Sequence, residues 1–305
     1  MNPNSDSMTR RGPAGERRDD VPEGRPTVPL LTPRVAQPVA SPAPVVCLQL
    51  EEWRALRAAP EWTGRTVGFV PTMGALHAGH VALLARARAE NERVVLSIFV
   101  NPTQFEDPLD LDRYPRMLEA DVARARPFVD AVLAPTAEAL YPDDYRYRLT
   151  EYSHSLRQEG AHRPGHFEGV LTVVLKLLHL VRPRRAYFGE KDWQQLQLVR
   201  GMVEALFLPV EIVGCPTVRD ADGLALSSRN RRLSAAARAQ AAMFPRLLRS
   251  ADDAAEAAAQ LRAAGFEVDY VDDCEGVRVG AVRLEGVRLI DNVRVKDACT
   301  LAPIR

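Results

Sequence analysis

Beyond residue 66 the chain alternates two kinds of apolar pattern. Residues 67–70 form a short apolar run stopped by Pro71, and residues 94–100 form a near-continuous run rich in β-branched side chains. Runs without polar alternation mark strands covered on both faces. Residues 129–134, 186–188 and 210–213 repeat the pattern more briefly. Between them lie segments of helical spacing. Residues 79–90 carry apolar Val81, Leu84 and Ala85, and residues 171–181 carry Leu171, Val174, Leu175, Leu178 and Val181. Residues 192–206 form a third amphipathic segment. Strands alternating with helices predict parallel pairing through right-handed crossovers. The expected fold class is α/β, a Rossmann-like doubly wound parallel sheet, with its ligand at the carboxyl ends of the strands.

The pattern changes at both ends. From about residue 234 an Ala-rich stretch, 251–264, reads as a helix ended by Gly265. Short alternating runs at 266–271, 277–284 and 287–290 read as strands, so a smaller C-terminal α+β domain is expected over 234–305. No internal repeat is visible. Residues 1–45 differ again: nine of the 23 prolines fall before residue 45, with clustered Arg, Asp and Glu and few large apolar side chains. Such a stretch cannot bury enough surface to offset its ordering entropy, so it reads as a disordered Pro-rich tail. Its apolar cluster at 28–31 is too short for a signal h-region. The main α/β domain is then expected over 46–233.

Charge narrows the functional classes. Lys plus Arg and Asp plus Glu number 40 each, so the formal net charge is zero. That balance argues against a general binder of nucleic acid or of membrane surfaces, while leaving room for a local cationic pocket. No apolar run approaches the ~20 residues of a membrane span. Cys47, Cys215, Cys274 and Cys299 are scattered without a Cys-x-x-Cys pair. They read as reduced thiols of a cytoplasmic protein.

Four segments carry the candidate chemistry, each at a strand end or on a loop. Pro71-Thr72-Met73-Gly74-Ala75-Leu76-His77-Ala78-Gly79-His80 joins the first predicted strand to its helix. Two histidines three apart at a helix start can face one ligand, and the unpaired N–H groups there suit phosphate. Glycines at 74 and 79 would let a nucleotide approach the backbone. Two helix-start histidines can also simply cap or pack, and a metal site ranks low because no third His or Cys ligand is suggested nearby. Asn101-Pro102-Thr103-Gln104 places two neutral amides at the next strand end, able to bond hydroxyl and carboxylate oxygens. Turn chemistry accounts for Asn101 equally well.

Gly189-Glu190-Lys191-Asp192-Trp193-Gln194-Gln195 is again a strand-to-helix turn, with Lys191 a point charge for phosphate and Asp192 either a ribose acceptor or an N-cap. Asp222 to Asn230, containing Leu226, Ser227, Ser228 and Arg229, offers two hydroxyls and a guanidinium on a loop. It reads as a triphosphate clamp or as a solvated turn.

With Arg163-Pro164-Gly165-His166-Phe167, these segments resemble the pantothenate synthetases, within the nucleotidyltransferases marked by His-x-Gly-His. The resemblance runs from about residue 67 to 233. It implies an enzyme that joins pantoate to β-alanine using ATP and Mg²⁺ through an acyl adenylate, with AMP and pyrophosphate released, and it implies a homodimer. It further implies that His77, His80, Lys191, Ser228 and Arg229 act on the ATP phosphates. Pro71, Thr72, Met73, Gly79, Gly189, Asp192, Val218, Leu226 and Ser227 complete the nucleotide site. Met73, Gln104 and Gln195, with Asn101, Tyr114, Glu159 and Arg163, would hold or enclose pantoate. Trp193 stands where Tyr or Phe is more familiar. The nearest alternative is a relative that transfers a nucleotide to a phosphate monoester, which would want further cations in place of Gln104 and Gln195.

Overall fold

The computed structural model describes residues 43–106 and 108–295. Residues 1–42 of the expected tail, and Cys299, lie outside them. The chain is already in a strand at Val45.

Six strands, β1 (Val45–Cys47), β2 (Val67–Thr72), β3 (Arg93–Ile98), β4 (Ala131–Leu133), β5 (Arg185–Gly189) and β6 (Glu211–Cys215), form one sheet in the order β1-β4-β3-β2-β5-β6. Every pairing is parallel. Successive side chains of a strand point to opposite faces. Phe69, Val95, Leu133 and Phe188 therefore enter one core, and Val70, Leu96, Val132 and Tyr187 enter the other. Helices Leu50–Ala58, His166–Val181 and Trp193–Ala205 cover the first face through Trp53, Leu171, Val174 and Leu196. Helices Ala78–Glu90 and Leu118–Ala125 cover the second through Leu83, Leu84, Ala87 and Ala125. This is the doubly wound parallel sheet that the apolar runs predict.

β1 escaped the sequence reading. It has three residues, two of them exposed, so no apolar run announces it. The buried face of Ala78–Glu90 also differs from the predicted one: Val81 and Ala85 are only half-buried, and Leu83 and Ala87 take the core positions.

Strand order reverses between β2 and β5. From β2 the chain winds outward through β3 to β4, and from β5 it winds the other way to β6. A crevice at such a switch point, outside the carboxyl ends, is the expected ligand position. The Met73–His77 loop leaves the end of β2, and the Glu190–Asp192 turn leaves the end of β5.

The C-terminal part is a three-stranded antiparallel sheet, β7 (Glu267–Cys274), β8 (Val277–Leu284) and β9 (Val287–Arg294). Its two hairpin turns, Glu275-Gly276 and Glu285-Gly286, have positive φ at both residues, 51° and 75° in the first, 50° and 74° in the second. That is the type I′ geometry whose twist matches paired strands, and it accounts for glycine at the second position. Helices Met243–Ser250 and Ala254–Ala263 pack on the sheet through Phe244, Leu248 and Leu261. Arg278 of β8 is buried in this unit at 1% exposure. Its guanidinium donates to both carboxylate oxygens of Asp273 and to the carbonyls of Leu248, Ala251 and Asp252. A buried charge with every donor engaged is tolerated where an unpaired one is not.

Candidate active site

The loop after β2 is held from below by a carboxylate. Asp121, 4% exposed, accepts from the backbone N–H of Ala75 at 2.8 Å and of Leu76 at 2.7 Å. Arg124, one turn later, donates to the Leu76 carbonyl at 2.7 Å. The loop needs this support because Gly74 and Ala75 both take left-handed φ, 83° and 51°. At Gly74 a Cβ would also lie 2.9 Å from Asp121 Oδ2. Thr72 Oγ1 donates to the Ser97 carbonyl and accepts from the Gly74 N–H, tying the loop to β3.

The two histidines cap the helix that follows. His77 Nδ1 accepts from the Gly79 N–H at 3.1 Å, and His80 Nδ1 accepts from the His77 N–H at 3.3 Å. An imidazole nitrogen that accepts carries no proton, so each neutral ring holds its proton on Nε2. The rings lie 4.1 Å apart, tilted by 34°. Burial lowers the His77 pKa below the usual 6.5, helped by the positive charge of Lys191. Burial lowers His80 further, to about 3, with His77 and Lys191 adding to the effect. Both are therefore uncharged hydrogen-bond donors at neutral pH. Both residues cap through Nδ1 and both line the cleft described below, so capping and a place at the cleft do not exclude each other.

Gly79 has a reason that the sequence reading did not supply. A Cβ there would lie 2.8 Å from Cε1 and 2.9 Å from Nδ1 of His77. The missing side chain makes room for the imidazole of the same motif.

The Asn101–Gln104 turn is built around a saturated amide. Asn101 is 1% exposed. Its Oδ1 accepts from the Thr103 N–H, Thr103 Oγ1 and the Tyr141 hydroxyl. Its Nδ2 donates to Gln104 Oε1 at 3.0 Å and to the Gly169 carbonyl at 3.2 Å. Turn chemistry thus occupies Asn101, and one product of it is the orientation of Gln104. With Oε1 engaged, Gln104 keeps Nε2 as its donor, 3.2 Å from Met73 Sδ. From the other side His166 Nδ1–H donates to the Gln104 carbonyl at 3.0 Å, and Arg163 Nη1 donates to His166 Nε2 at 3.0 Å. Arg163 Nη2 reaches the same carbonyl at 3.3 Å.

Helix His166–Val181 approaches this turn where it has no side chain. A Cβ at Gly169 would lie 2.5 Å from the Thr103 carbonyl oxygen and 2.9 Å from Gln104 N, and neither backbone atom can swing away. Gly169→Ala is therefore expected to cost about 1–3 kcal/mol of stability by overpacking. If Gln104 contacts the acid substrate, as the resemblance implies, Gly169→Ala is also expected to raise KM for the acid more than KM for the nucleotide. Steady-state kinetics with each ligand varied in turn checks this.

The remaining groups come from the far side of the crevice. Asp192 occupies the N-cap position of Trp193–Ala205, yet its side chain makes no capping bond. Its carboxylate lies 3.9 Å from Lys191 Nζ. Gln194 turns away to hold the Glu159 N–H and the carbonyls of His154 and Arg157, while Gln195 faces the crevice. Ser227 Oγ caps the short helix Ser228–Arg232 by accepting from the Arg229 N–H. Arg229 Nη2 lies 3.7 Å from Asp110, and the hydroxyl of the half-buried Tyr114 bonds Ser228.

These groups converge on one cleft of about 270 Å³. Pro71, Thr72, Met73, His77, Gly79, His80, Asn101, Gln104 and Tyr114 line it from the β2 and β3 side. Gly189, Lys191, Asp192, Gln195, Val218, Leu226, Ser227, Ser228 and Arg229 line it from the β5 and β6 side. Glu159 and Arg163 are not brought to this cleft. They line a neighbouring space of about 50 Å³ that shares Lys191, Asp192, Gln195 and Arg229 with it. Glu159 is 7% exposed and accepts from Tyr270 of β7 and Arg288 of β9. Burial alone would raise its pKa, but the Arg288 guanidinium outweighs burial and holds the carboxyl below its usual range. Its visible work is to join the C-terminal sheet to the segment before Arg163.

A sequence model of the family described as pantoate-beta-alanine ligase matches residues 46–294. The chain belongs to this family. A pantothenate synthetase of Bdellovibrio bacteriovorus is 56% identical over 231 residues, covering 75% of this chain and 92% of its own. One from Cereibacter sphaeroides is 49% identical over 278 residues, covering 83% and 100%. A crystal structure of the Francisella tularensis pantoate-beta-alanine ligase, complexed with beta-gamma ATP and beta-alanine, superposes with a TM-score of 0.77 at 37% identity. It covers 83% of this chain and 98% of that one. The Thermus thermophilus pantothenate synthetase gives 0.74 at 46% identity, covering 82% and 99%.

Sequence reasoning missed Asp121, Gly169 and Asn292 as supports of the segments that line this cleft, and gave His166 no task. Asp121 and Asn292 act on loops 45 and 101 residues away, and no local pattern could reveal them. His166 gives a testable consequence. Burial, then the Arg163 charge, lowers its pKa to about 4, as burial lowers that of His80. Below pH 6.5 the unfolded chain therefore binds protons that the folded chain refuses, so stability falls as pH falls. Each histidine is expected to add a slope of about 1.4 kcal/mol per pH unit until its folded pKa is reached. Urea unfolding at pH 7 and pH 5, with His166→Gln as the comparison, checks this.

Proposed function

We propose that this chain condenses pantoate with β-alanine at the expense of ATP, through a pantoyl adenylate, in the cleft between β2 and β5. The observation that carries the reading is the pair of neutral imidazoles at one helix N-terminus, facing the cleft with Lys191. Nucleotidyl transfer to a carboxylate demands little covalent chemistry of the protein. An acid with a pKa of about 4 is already ionised at neutral pH and needs no general base. What remains is positioning and the neutralisation of charge.

In this reading the triphosphate lies against the start of helix Ala78–Glu90, whose N–H groups and dipole favour anions. His77 and His80 donate through Nε2, and Lys191, Ser228 and Arg229 close from the other side. Gln104 Nε2 and the Gln195 amide hold the pantoate hydroxyl and carboxylate, with Met73 at the junction and Tyr114 enclosing the acid. Asp192 accepts from the ribose. The pantoate carboxylate oxygen bonds to the α-phosphorus, and the bond to the bridging oxygen of pyrophosphate breaks. The free amine of β-alanine then attacks the acyl carbon, AMP leaves with the bonding pair, and the amine loses a proton. A closed cleft protects the mixed anhydride from water.

Among the described residues no three His, Cys, Asp or Glu side chains group to hold a metal ion. The Mg²⁺ implied by the resemblance would supply positive charge to offset that of the phosphates. A homodimer and a cytoplasmic location belong to the same reading. No helix among the described residues is long and apolar enough to cross a membrane. Neutral amides at 104 and 195 favour a carboxylate over a phosphate-monoester acceptor, which would call for additional cations.

The test is incubation with ATP, Mg²⁺, D-pantoate and β-alanine, followed by mass analysis for the amide. Without β-alanine, pantoate should still drive exchange of pyrophosphate into ATP. Exchange that needs no pantoate, or a phosphorylated acceptor that outcompetes it, would refute the assignment.

A further inference from the structure

Lys191 stands on a turn that the β2–β6 sheet alone does not hold. Asn292, in β9 of the C-terminal sheet, donates both hydrogens of its side-chain amide into that turn. Nδ2 lies 2.8 Å from the Glu190 carbonyl and 2.9 Å from the Lys191 carbonyl. Successive carbonyls beyond a strand end lack ladder partners, and one amide fork meets two of them.

The strand that carries Asn292 is itself fixed. Its neighbour Asp291, 3% exposed, receives both Nη atoms of Arg219 at 2.7 and 2.9 Å. Arg219 also donates to the carbonyls of Asn292 and Gly223. Arg219 pairs with Ala225 in the antiparallel bridge that leads into Ser227–Arg229. One dipeptide of β9 thus holds the backbone of both cationic arms of the cleft. It touches the Lys191 turn directly and the Arg229 loop through Arg219.

We infer that Asn292 is a positioning residue for Lys191, setting where the ammonium meets the triphosphate; this rests on the reaction proposed above. Asn292 lines the smaller neighbouring space and not the main cleft, so it acts through the turn and not on substrate. The consequence is selective. Adenylate formation needs Lys191 against phosphate, whereas attack of the amine on a preformed adenylate does not.

The experiment uses the full chain and four proteins: wild type, Asn292→Ala, Lys191→Ala and the double variant. Pantoate-dependent exchange of pyrophosphate into ATP is expected to fall on the order of 10²-fold in Asn292→Ala, the scale of a small misplacement of a catalytic group. KM for pantoate and single-turnover amide formation from supplied pantoyl adenylate are expected to stay at wild-type values. In the Lys191→Ala background the second substitution is expected to cost nothing further, because its effect runs through that side chain. Additive losses, or equal losses in both half-reactions, overturn the positioning role. Should Asn292→Ala fail to fold, Asn292→Ser, which keeps one hydroxyl donor, enters the same cycle under the same criterion. A wild type with no exchange refutes the assigned reaction, whereas a wild type that exchanges normally beside additive variants refutes only the role of Asn292.

Discussion

Alanine in place of His80 is expected to slow the proposed pantoyl adenylate formation by about 10²–10³-fold, the loss seen when one preorganised donor is removed from a developing negative charge. The expectation follows from the tautomer. His80 Nδ1 is occupied by the His77 N–H, so Nε2–H is the free donor. Its pKa of about 3 keeps the ring neutral throughout the working range. The rate should therefore show no titration of His80 between pH 6 and 8. An imidazolium mechanism would instead lose rate as pH rises through the ordinary histidine range. Glutamine at 80 keeps an N–H donor and is expected to recover part of the loss. His77→Ala should lose a similar rate and, in addition, about 1 kcal/mol of stability, because its Nδ1 is the helix cap. Pyrophosphate exchange and urea unfolding on each variant separate the two effects. Near-normal exchange in both would remove the histidines from the chemistry.

What the chain shows directly and what it hides follow from the range of the interactions. Strand β8 lies where the run of residues 277–284 predicts it, because a run of strand-forming residues is written locally, although its burial does not alternate and every residue but Arg283 is buried. The parallel sheet was legible for the same reason: strands buried on both faces must be apolar throughout. β1 was invisible because an edge strand of three residues, paired on one side to β4, needs no apolar run. The lining of the cleft was legible wherever a motif sits at a strand end, as with His77, His80, Gln104 and Lys191. Roles that depend on a distant partner were not. Asn101 looked equally like ligand or turn until Tyr141 and Gly169 were seen to consume its amide. Glu159 looked like a cleft residue until Arg288, 129 positions later, was seen to hold it. Gly79 reads in the sequence as room for a nucleotide at the backbone, whereas the group that a Cβ there would meet in the structure is the imidazole of His77.

Removing the carboxylate of Asp121 is expected to have the largest effect among residues that touch no substrate. Alanine at this position leaves the N–H groups of Ala75 and Leu76 buried without acceptors. Each orphaned donor costs about 1–3 kcal/mol, so the fold is expected to lose about 2–6 kcal/mol. The loss falls on the loop that delivers Met73, His77 and His80, whose residues 74 and 75 hold left-handed backbone only while gripped. Adenylate formation should drop with stability, whereas the C-terminal sheet, with its separate core around Phe244 and Leu261, should keep its native hydrogen-exchange protection. Asparagine distinguishes the causes. It keeps one acceptor and turns the other oxygen into a donor facing an N–H, so it should fall between wild type and alanine in stability. Its deficit in exchange should match a displaced His77 pair, with kcat reduced more than KM for pantoate is raised. An Asp121→Asn enzyme of wild-type rate would show that the loop holds its shape without the paired carboxylate.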